Sequence, residues 1–255
     1  MSFLPAPEFT VAGSTMILDS DLRVSSGQSM IDDRVVTLKV GLAPTKDFSV
    51  HEAILREHSP FFRTALDSRW REGRSRIVEL PEDSAEIVSA WIQWLYFRRI
   101  PSKPVSPPEL PMDDGEYELL ARMYAFGEKV QADSFCDDCV TAMVLKTDEI
   151  ADGSRVFPSH SAIMILYNNT PPDCPARRFV VDMYVEYGLD AWIPKEVEYS
   201  HPEFLADLVH AFMANRAEGL PHKQTNYPRR RKWHKQERSR EFLRPVGSSD
   251  EVAVS

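Results

Sequence analysis

Two adjoining stretches decide the fold of this chain: FSVHEAIL at residues 48–55 and REHSPFF at residues 56–62. The first alternates apolar and polar residues, as a half-buried strand does, and changes to helical spacing at His51. In the second, Ser59 can cap a helix and Pro60 can take its first position, where a missing N–H has no cost. The pattern predicts a strand that runs directly into a helix, followed by a second helix. It places no reaction centre and indicates a folded surface that binds other proteins.

The flanking residues predict a small sheet. Residues 36–40 (VTLKV) alternate apolar and polar side chains and are followed by a turn at 41–46, so they form a hairpin with residues 48–50. Residues 76–80 (RIVEL) predict a third strand, which Pro81 closes.

A strongly apolar helix is predicted at residues 84–97. Asp83 and Glu86 have capping-box spacing ahead of it. Its apolar residues cover too much of the circumference for a surface helix, and they are Ile87, Val88, Trp91, Ile92, Trp94, Leu95 and Tyr96. We therefore expect a central, buried helix with Trp91 and Leu95 in the core.

The order of these motifs resembles the BTB/POZ domain, particularly the short BTB proteins of filamentous fungi. The resemblance is carried by V-H-x-x-x-L, S-P-F-F, I-V-E-L-P-E-D and W-L-Y, and it continues through residues 116–130 and 132–145. It implies an α+β fold, in which a helical core is flanked by a small β-sheet, with additional C-terminal helices in this chain. It also implies an absence of intrinsic catalysis, and a role in self-association or as an adaptor.

Four regions follow from this interpretation. Residues 1–30 form a flexible N-terminal segment, in which the apolar run 16–18 could pair as an extra strand. The BTB/POZ domain covers 31–147, and 100–115 is an extended proline-rich loop within it. A C-terminal helical extension covers 148–215, and a basic disordered tail covers 216–255.

The extension contains three predicted helical runs, at 162–167, 176–187 and 203–215. The last begins with a capping box at 200–203, and Phe204, Leu208 and Phe212 repeat every four residues along it. We expect these helices to pack against the end of the BTB core.

The distribution of charge separates the tail from the rest of the chain. Residues 216–255 hold ten Lys and Arg against five Asp and Glu, whereas residues 1–215 hold twenty against thirty-four. The acidic body argues against a general nucleic-acid surface there, so any such role would belong to the tail. The tail resembles a monopartite nuclear localisation signal, carried by Arg229, Arg230, Arg231, Lys232 and Lys235. The alternatives are a solvated extension or weak, salt-sensitive phosphate binding.

Candidates for chemistry have simpler structural interpretations. Cys136 and Cys139 form a C-x-x-C on an apolar stripe, without the further ligands that zinc needs, and Cys174 lies among prolines. Buried core cysteines are expected, in keeping with a reducing compartment. The resemblance implies that His51 is structural, hydrogen-bonded to nearby backbone or to an acid. No nucleotide-binding or hydrolase motif occurs, so we predict no enzymatic activity, no cofactor and no metal.

The location of the protein is predicted from the absence of targeting and membrane-spanning signals in the sequence. No signal peptide is evident at residues 1–18, and the longest apolar run, 87–97, is too short to span a bilayer. We expect a soluble, intracellular protein of the nucleus, the cytoplasm or both, with no membrane partner.

The step Trp70-Arg71-Glu72 is the candidate partner contact. BTB adaptors of cullin-type ubiquitin ligases resemble one another in a hydrophobic-x-Glu step here, which implies that Trp70 is an apolar plug and Glu72 its charged partner. An exposed Trp is a typical hot spot. The alternative is that Trp70 folds back onto the core of its own domain.

The function therefore has two interpretations. One is a protein-interaction module that associates with itself or adapts a client to a cullin scaffold. The other is a nuclear regulator that binds nucleic acid or chromatin partners through its tail. BTB repressors often carry a basic residue after the motif histidine, whereas this chain has Glu52, which weakens the inference of a corepressor-binding pocket.

A weak or conditional homodimer is expected. The helix 51–58 offers Ala53, Ile54 and Leu55 for association, but part of this set must serve its own core. Stable interfaces bury roughly 800 Å² per partner around a centre poor in charge, so a dimer would need residues 16–18 to contribute.

Overall fold

The computed structural model describes residues 34–104, 115–151, 154–194 and 200–217. Three strands form a mixed sheet in the order β2-β1-β3. Their bounds are β1 Val35–Val40, β2 Lys46–His51 and β3 Ile77–Leu80. β1 pairs antiparallel with β2 and parallel with β3, so that Leu38 lies between Phe48 and Val78. The predicted alternation is confirmed, because Val36, Leu38 and Val40 all point into the core.

The described residues between 52 and 148 also form six helices. Their bounds are α1 Glu52–His58, α2 Pro60–Ala65, α3 Arg71–Ser75, α4 Ala85–Phe97, α5 Glu116–Lys129 and α6 Asp133–Asp148. The predicted passage from strand to helix at His51 is confirmed, since β2 ends and α1 begins there. The α+β architecture expected from the sequence is therefore present.

Aromatic side chains around α4 form the core. Trp91 is fully buried and stacks on Phe62 of α2 at a centroid distance of 5.3 Å, while its edge meets Phe126 of α5 at 5.5 Å. Trp94, also fully buried, contacts Phe135 of α6 at 5.1 Å. The prediction of a central, buried helix is confirmed.

The two predicted helix caps have different outcomes. Ser59 caps α2 as expected: its hydroxyl accepts a hydrogen bond from the Phe62 amide at 3.1 Å and also donates to the Val130 carbonyl of α5's C-cap at 2.5 Å. The capping box at Asp83 is wrong. The N-cap of α4 is Ser84, without a side-chain cap, and the Asp83 carboxylate instead accepts from Lys129 at 2.8 Å.

The described residues of the C-terminal extension form three helices, a small hairpin and a 3₁₀ turn. The bounds are β4 Ile150–Ala151, β5 Ser154–Arg155, α7 His160–Asn169, α8 Pro175–Tyr187, the 3₁₀ turn Asp190–Trp192 and α9 Pro202–Ala217. As predicted, the extension packs against the core, chiefly through α7 on α5.

A buried arginine joins the three helices of the extension. Arg177, on α8, is 4% exposed. Its guanidinium donates to the Tyr167 carbonyl at 2.7 Å, to the hydroxyl and carbonyl of Thr170 and to the Glu203 carboxylate of α9 at 2.6 Å. It also lies 4.4 Å above the Tyr167 ring. This one side chain therefore donates hydrogen bonds to carbonyls at the end of α7 and binds a carboxylate at the start of α9.

The proline-rich loop is described only at residues 100–104 and 115. The Ser102 hydroxyl donates to the Glu116 carboxylate at 2.6 Å, and Lys146 pairs with the same carboxylate at 3.2 Å. These contacts attach the beginning of the loop to α5 and α6. No helix within the described residues is long and apolar enough to cross a membrane.

Candidate partner-binding site

The turn between α2 and α3 presents Trp70 to solvent. Asp67 and Arg69 stiffen this turn, because the guanidinium of Arg69 binds both carboxylate oxygens of Asp67 at 3.0 Å. That hydrogen bonding holds the pKa of Asp67 below its usual value. The Trp70 amide donates to the Asp67 carbonyl at 2.9 Å. The indole is 55% exposed, so the alternative in which Trp70 folds back onto the core is wrong.

Glu72 lies in the first turn of α3, two residues after Trp70. Its carboxylate is partly exposed and lies 3.5 Å from the guanidinium of Arg71, while its carbonyl accepts the Arg76 amide that ends the helix. The structure thus puts Trp70 and Glu72 on one short surface segment. Whether this surface contacts a cullin stays a prediction.

The solvent-facing side of α1 has little apolar area, as the sequence predicts. Ile54 and Leu55 are buried in the domain's own core, Ala53 is half-buried, and Glu57 faces solvent. Within the described residues, this helix alone therefore lacks the apolar area of a stable interface. The run 16–18, which was expected to complete a dimer interface, lies outside the described residues.

His51 is structural, but its predicted partner is wrong. Its Nδ1 lies 2.7 Å from the hydroxyl of Tyr96 on α4, and its backbone amide donates to the same oxygen at 3.2 Å. A phenol, rather than backbone or an acid, therefore fixes the start of α1 against the central helix.

The cysteines have the environment expected of core residues. Cys136, Cys139 and Cys174 are buried thiols that form no disulfide within the described residues. Burial raises the pKa of the Cys139 thiol well above its usual value, and the neighbouring Asp138 adds to the effect, so this thiol is held in its unreactive form. Among the described residues no group of three His, Cys, Asp or Glu side chains could hold a metal ion.

A second exposed apolar surface occurs on α9. Phe204 and Leu208 are buried as predicted, but Phe212 is 42% exposed. It forms a stripe with Val209 and Met213, which are 53% and 64% exposed. We call these three residues the α9 stripe. This surface was not predicted from the sequence, because Phe212 continues the four-residue repeat of the buried Phe204 and Leu208. Three apolar residues spaced i, i+3 and i+4 beside a buried pair were the available signal.

The basic tail residues Arg229, Arg230, Arg231, Lys232 and Lys235 lie outside the described residues. Their role in nuclear import stays a prediction.

Comparison with known families agrees with this architecture. Residues 30–131, which contain the sheet and α1 to α5, match the family model of the BTB/POZ domain. The chain therefore carries a BTB/POZ domain. Domains of this family are protein–protein interaction modules that associate with partner proteins and form dimers, and this is the functional class of the matched region.

Proposed function

We propose that this protein is an adaptor, in which the BTB/POZ domain engages a cullin-type scaffold through Trp70 and Glu72 and the C-terminal helices hold a client. The supporting observation is the presence of two separate exposed apolar surfaces. One is Trp70 at the start of α3, within the matched domain, and the other is the α9 stripe in the extension. An adaptor needs two such surfaces because it must bind two partners at once.

The surroundings of Trp70 fit a binding hot spot. Hot spots combine a large aromatic side chain with a polar rim that excludes water. Around Trp70 the rim consists of Arg69, Arg71 and Glu72, whose charges are close to solvent. These charges would influence the association rate more than the affinity, so the indole should supply most of the binding energy.

The test is the affinity of the full chain for the purified N-terminal region of a cullin that serves BTB adaptors. Trp70→Ala should weaken binding roughly thirtyfold or more, as expected for a hot spot worth about 2 kcal/mol. Phe97→Ala is the matched control, because Phe97 is also aromatic and is 71% exposed. Equal affinities for Trp70→Ala and the unaltered chain, or an absence of binding by the unaltered chain, would reject the cullin contact.

We further propose a weak homodimer that depends on residues 16–18. Support comes from α1, where Ile54 and Leu55 are already used by the core. Light scattering should detect dimer in the full chain and monomer in a chain lacking residues 1–29. A tight dimer that survives the truncation would contradict this role of the N-terminal segment.

A nuclear role of the tail is the second proposal, and it is supported by the charge contrast in the sequence. Replacing Arg229, Arg230, Arg231 and Lys232 with Ala should move a fluorescent fusion from the nucleus to the cytoplasm. If the tail also binds nucleic acid, salt-dependent retention on DNA should vanish when residues 216–255 are deleted. An unchanged distribution of the variant would leave the tail as a solvated extension.

A further inference from the structure

A polar cleft of about 380 Å³ lies beside the turn that carries Trp70. Its walls come from the start of β1, from α1, from the turn 66–68 and from α3. Its charged lining residues are Arg34, Glu52, Arg56, Asp67 and Arg76. The family comparison and the adaptor proposal leave this cleft without a role.

The cleft has more positive than negative charge to offer a ligand. Asp67 is already bound at both carboxylate oxygens by Arg69. Glu52 is the other acid of the lining, and its side chain is only 11% exposed. Its carboxylate lies 3.6 Å from the guanidinium of Arg56 and 3.8 Å from that of Arg76. One buried carboxylate therefore serves two arginines, at distances longer than a charge-assisted hydrogen bond.

The two guanidiniums remain accessible. The side chains of Arg56 and Arg76 are 38% and 44% exposed. Arg56 makes one further bond, to the Leu66 carbonyl at 3.2 Å. Each guanidinium has five N–H donors in a planar fork, so both retain donors for a carboxylate or a phosphoryl group.

The backbone at Arg76 is left-handed, as it is at three other described residues, Arg98, Gln131 and Asp173. Arg76 has φ 57° and ψ 32°, the left-handed conformation that favours glycine at the end of a helix. Gly73 fixes the opposite wall, because a Cβ there would lie 2.2 Å from the Asp67 carbonyl oxygen. The close approach of α3 to the turn 66–68 therefore requires glycine in this wall of the cleft.

The wider surface has the same polarity. Residues 52–76 contain six arginines and four acidic residues, whereas the chain as a whole has a net charge of −9. This segment is a basic island on an acidic protein, which would attract an acidic partner selectively.

We propose that this cleft binds an oxyanion side chain of a partner protein, a glutamate or aspartate carboxylate or a phosphoserine, between the guanidiniums of Arg56 and Arg76. Glu52 draws the two arginines to one carboxylate and lowers the net attraction, so that only an anion that both guanidiniums can reach is retained. The proposal does not depend on the cullin contact of Trp70, since the cleft and the indole are different surfaces.

The test is a titration of the full chain with three peptides of one sequence, in which the central residues are glutamate, phosphoserine or glutamine. Binding is followed by the Nε–Hε signals of arginine in NMR spectra and by fluorescence anisotropy. Saturable binding of the glutamate peptide, the phosphoserine peptide or both supports the site, and the preferred peptide identifies the source of the oxyanion. Absence of saturable binding for both charged peptides, or equal binding of the glutamine peptide, overturns it.

Variants then assign the residues. Arg56→Gln combined with Arg76→Gln should weaken binding roughly tenfold or more. Arg74→Gln is the control for each single exchange, because it removes one positive charge from the same segment, as Arg56→Gln or Arg76→Gln alone does, but does not line the cleft; its affinity should stay within about twofold. An equal loss in Arg74→Gln would indicate diffuse attraction and overturn the assigned site.

Two further variants complete the test. One is chosen because it should fold normally, and the other because it should strengthen binding instead of weakening it. Arg76→Gly keeps a residue suited to the left-handed conformation while removing the guanidinium, so it should fold and still bind the anion more weakly. Glu52→Gln removes the competing carboxylate and should tighten binding by roughly three- to tenfold. A Glu52→Gln variant that folds normally and binds no tighter would contradict the proposed role of Glu52.

Discussion

The aromatic core around α4 and the arginine-centred contacts of the extension stabilise neighbouring parts of one chain by different physics. In the BTB/POZ domain, Trp91 and Trp94 are fully buried among other aromatic rings. In the extension, Arg177 is buried as well, but it acts through hydrogen bonds to carbonyls and a carboxylate. The hydrophobic driving force is non-directional, whereas the arginine contacts require one geometry.

This difference predicts how far the effect of a destabilising substitution should spread in each part. Removing a core ring opens a cavity that the whole domain shares. Removing Arg177 leaves specific acceptors without a donor, so the damage should remain near α7 and α9. We therefore expect the extension to loosen while the domain stays folded, which would alter access to the α9 stripe without disturbing Trp70.

The largest expected effect is that of Trp91→Ala, which should destabilise the protein by about 3–5 kcal/mol through lost burial and the resulting cavity. The indole Nε1 has no hydrogen-bond partner among the described residues, so the loss is one of packing. Urea denaturation measures it. Gln93→Ala, on the exposed side of the same helix, should cost less than about 0.5 kcal/mol. A loss below about 1 kcal/mol for Trp91→Ala would contradict the central role of α4.

Arg177→Met should cost about 2–3 kcal/mol, because the Tyr167 and Thr170 carbonyls lose a buried donor. Hydrogen exchange should quicken in α9 and at the end of α7 but not in α4. Arg178→Met is the control: it removes the next arginine of the same helix, whose guanidinium pairs at 3.5 Å with the exposed carboxylate of Asp173, so it should cost only about 0–1 kcal/mol. Equal loss of protection in α4 would mean that the two parts unfold together, and the contrast between them would then be wrong.

Ser59→Ala sharpens the comparison, because it removes a polar contact from the aromatic domain. The hydroxyl caps α2 and also reaches the Val130 carbonyl, so its loss should cost about 1–2 kcal/mol in chemical denaturation. Thr64→Ala, an exposed hydroxyl of the same helix, should have almost no effect. If the two variants were equally stable, the link between α2 and α5 would have no energetic role.

The smallest expected effect is a pH dependence from His58. Its ring packs edge-on against Trp94 at 5.6 Å, and burial, followed by the charge of Arg98, lowers its pKa from the usual 6.5. Below pH 6.5 the unfolded chain takes up a proton that the folded chain resists, so stability falls as the pH drops through this value and is complete above it. Urea midpoints at about pH 7.5 and 5.5 should therefore differ less in His58→Gln than in the unaltered chain. His160→Gln tests the other histidine whose pKa burial lowers. An identical pH dependence in His58→Gln would exclude a contribution from His58.

Much of the domain could be predicted because its signals are local. The alternation at 36–40, the Ser59-Pro60 cap and the apolar circumference of α4 each lie within one element, and the structure confirms each of them. The order of these motifs was enough to indicate the BTB/POZ family. The step at Trp70 was also identified from the sequence, but the sequence could not show that the Trp70 side chain is exposed.

The rest depended on residues far apart in the chain. Asp83 has capping-box spacing, but Lys129 approaches it from α5, so a tertiary ion pair replaced the local cap. The partner of His51 is Tyr96, forty-five positions away. Arg177 lies on the apolar side of α8, and a charged residue in such a position was a signal of a buried ion pair, but its acceptors on α7 and α9 could not be read from spacing.

The sequence by itself determined the elements, the family and the segments of opposite charge, because periodicity, caps and composition act over a few residues. Only the tertiary structure decided which side chains reach solvent and which charges meet. Phe212 differs from Phe204 only in what the neighbouring helices leave uncovered, and Glu52, Arg56 and Arg76 form a cleft only because α3 folds back beside α1. Burial and electrostatic attraction depend on distances through space, which the order of residues along a chain does not specify.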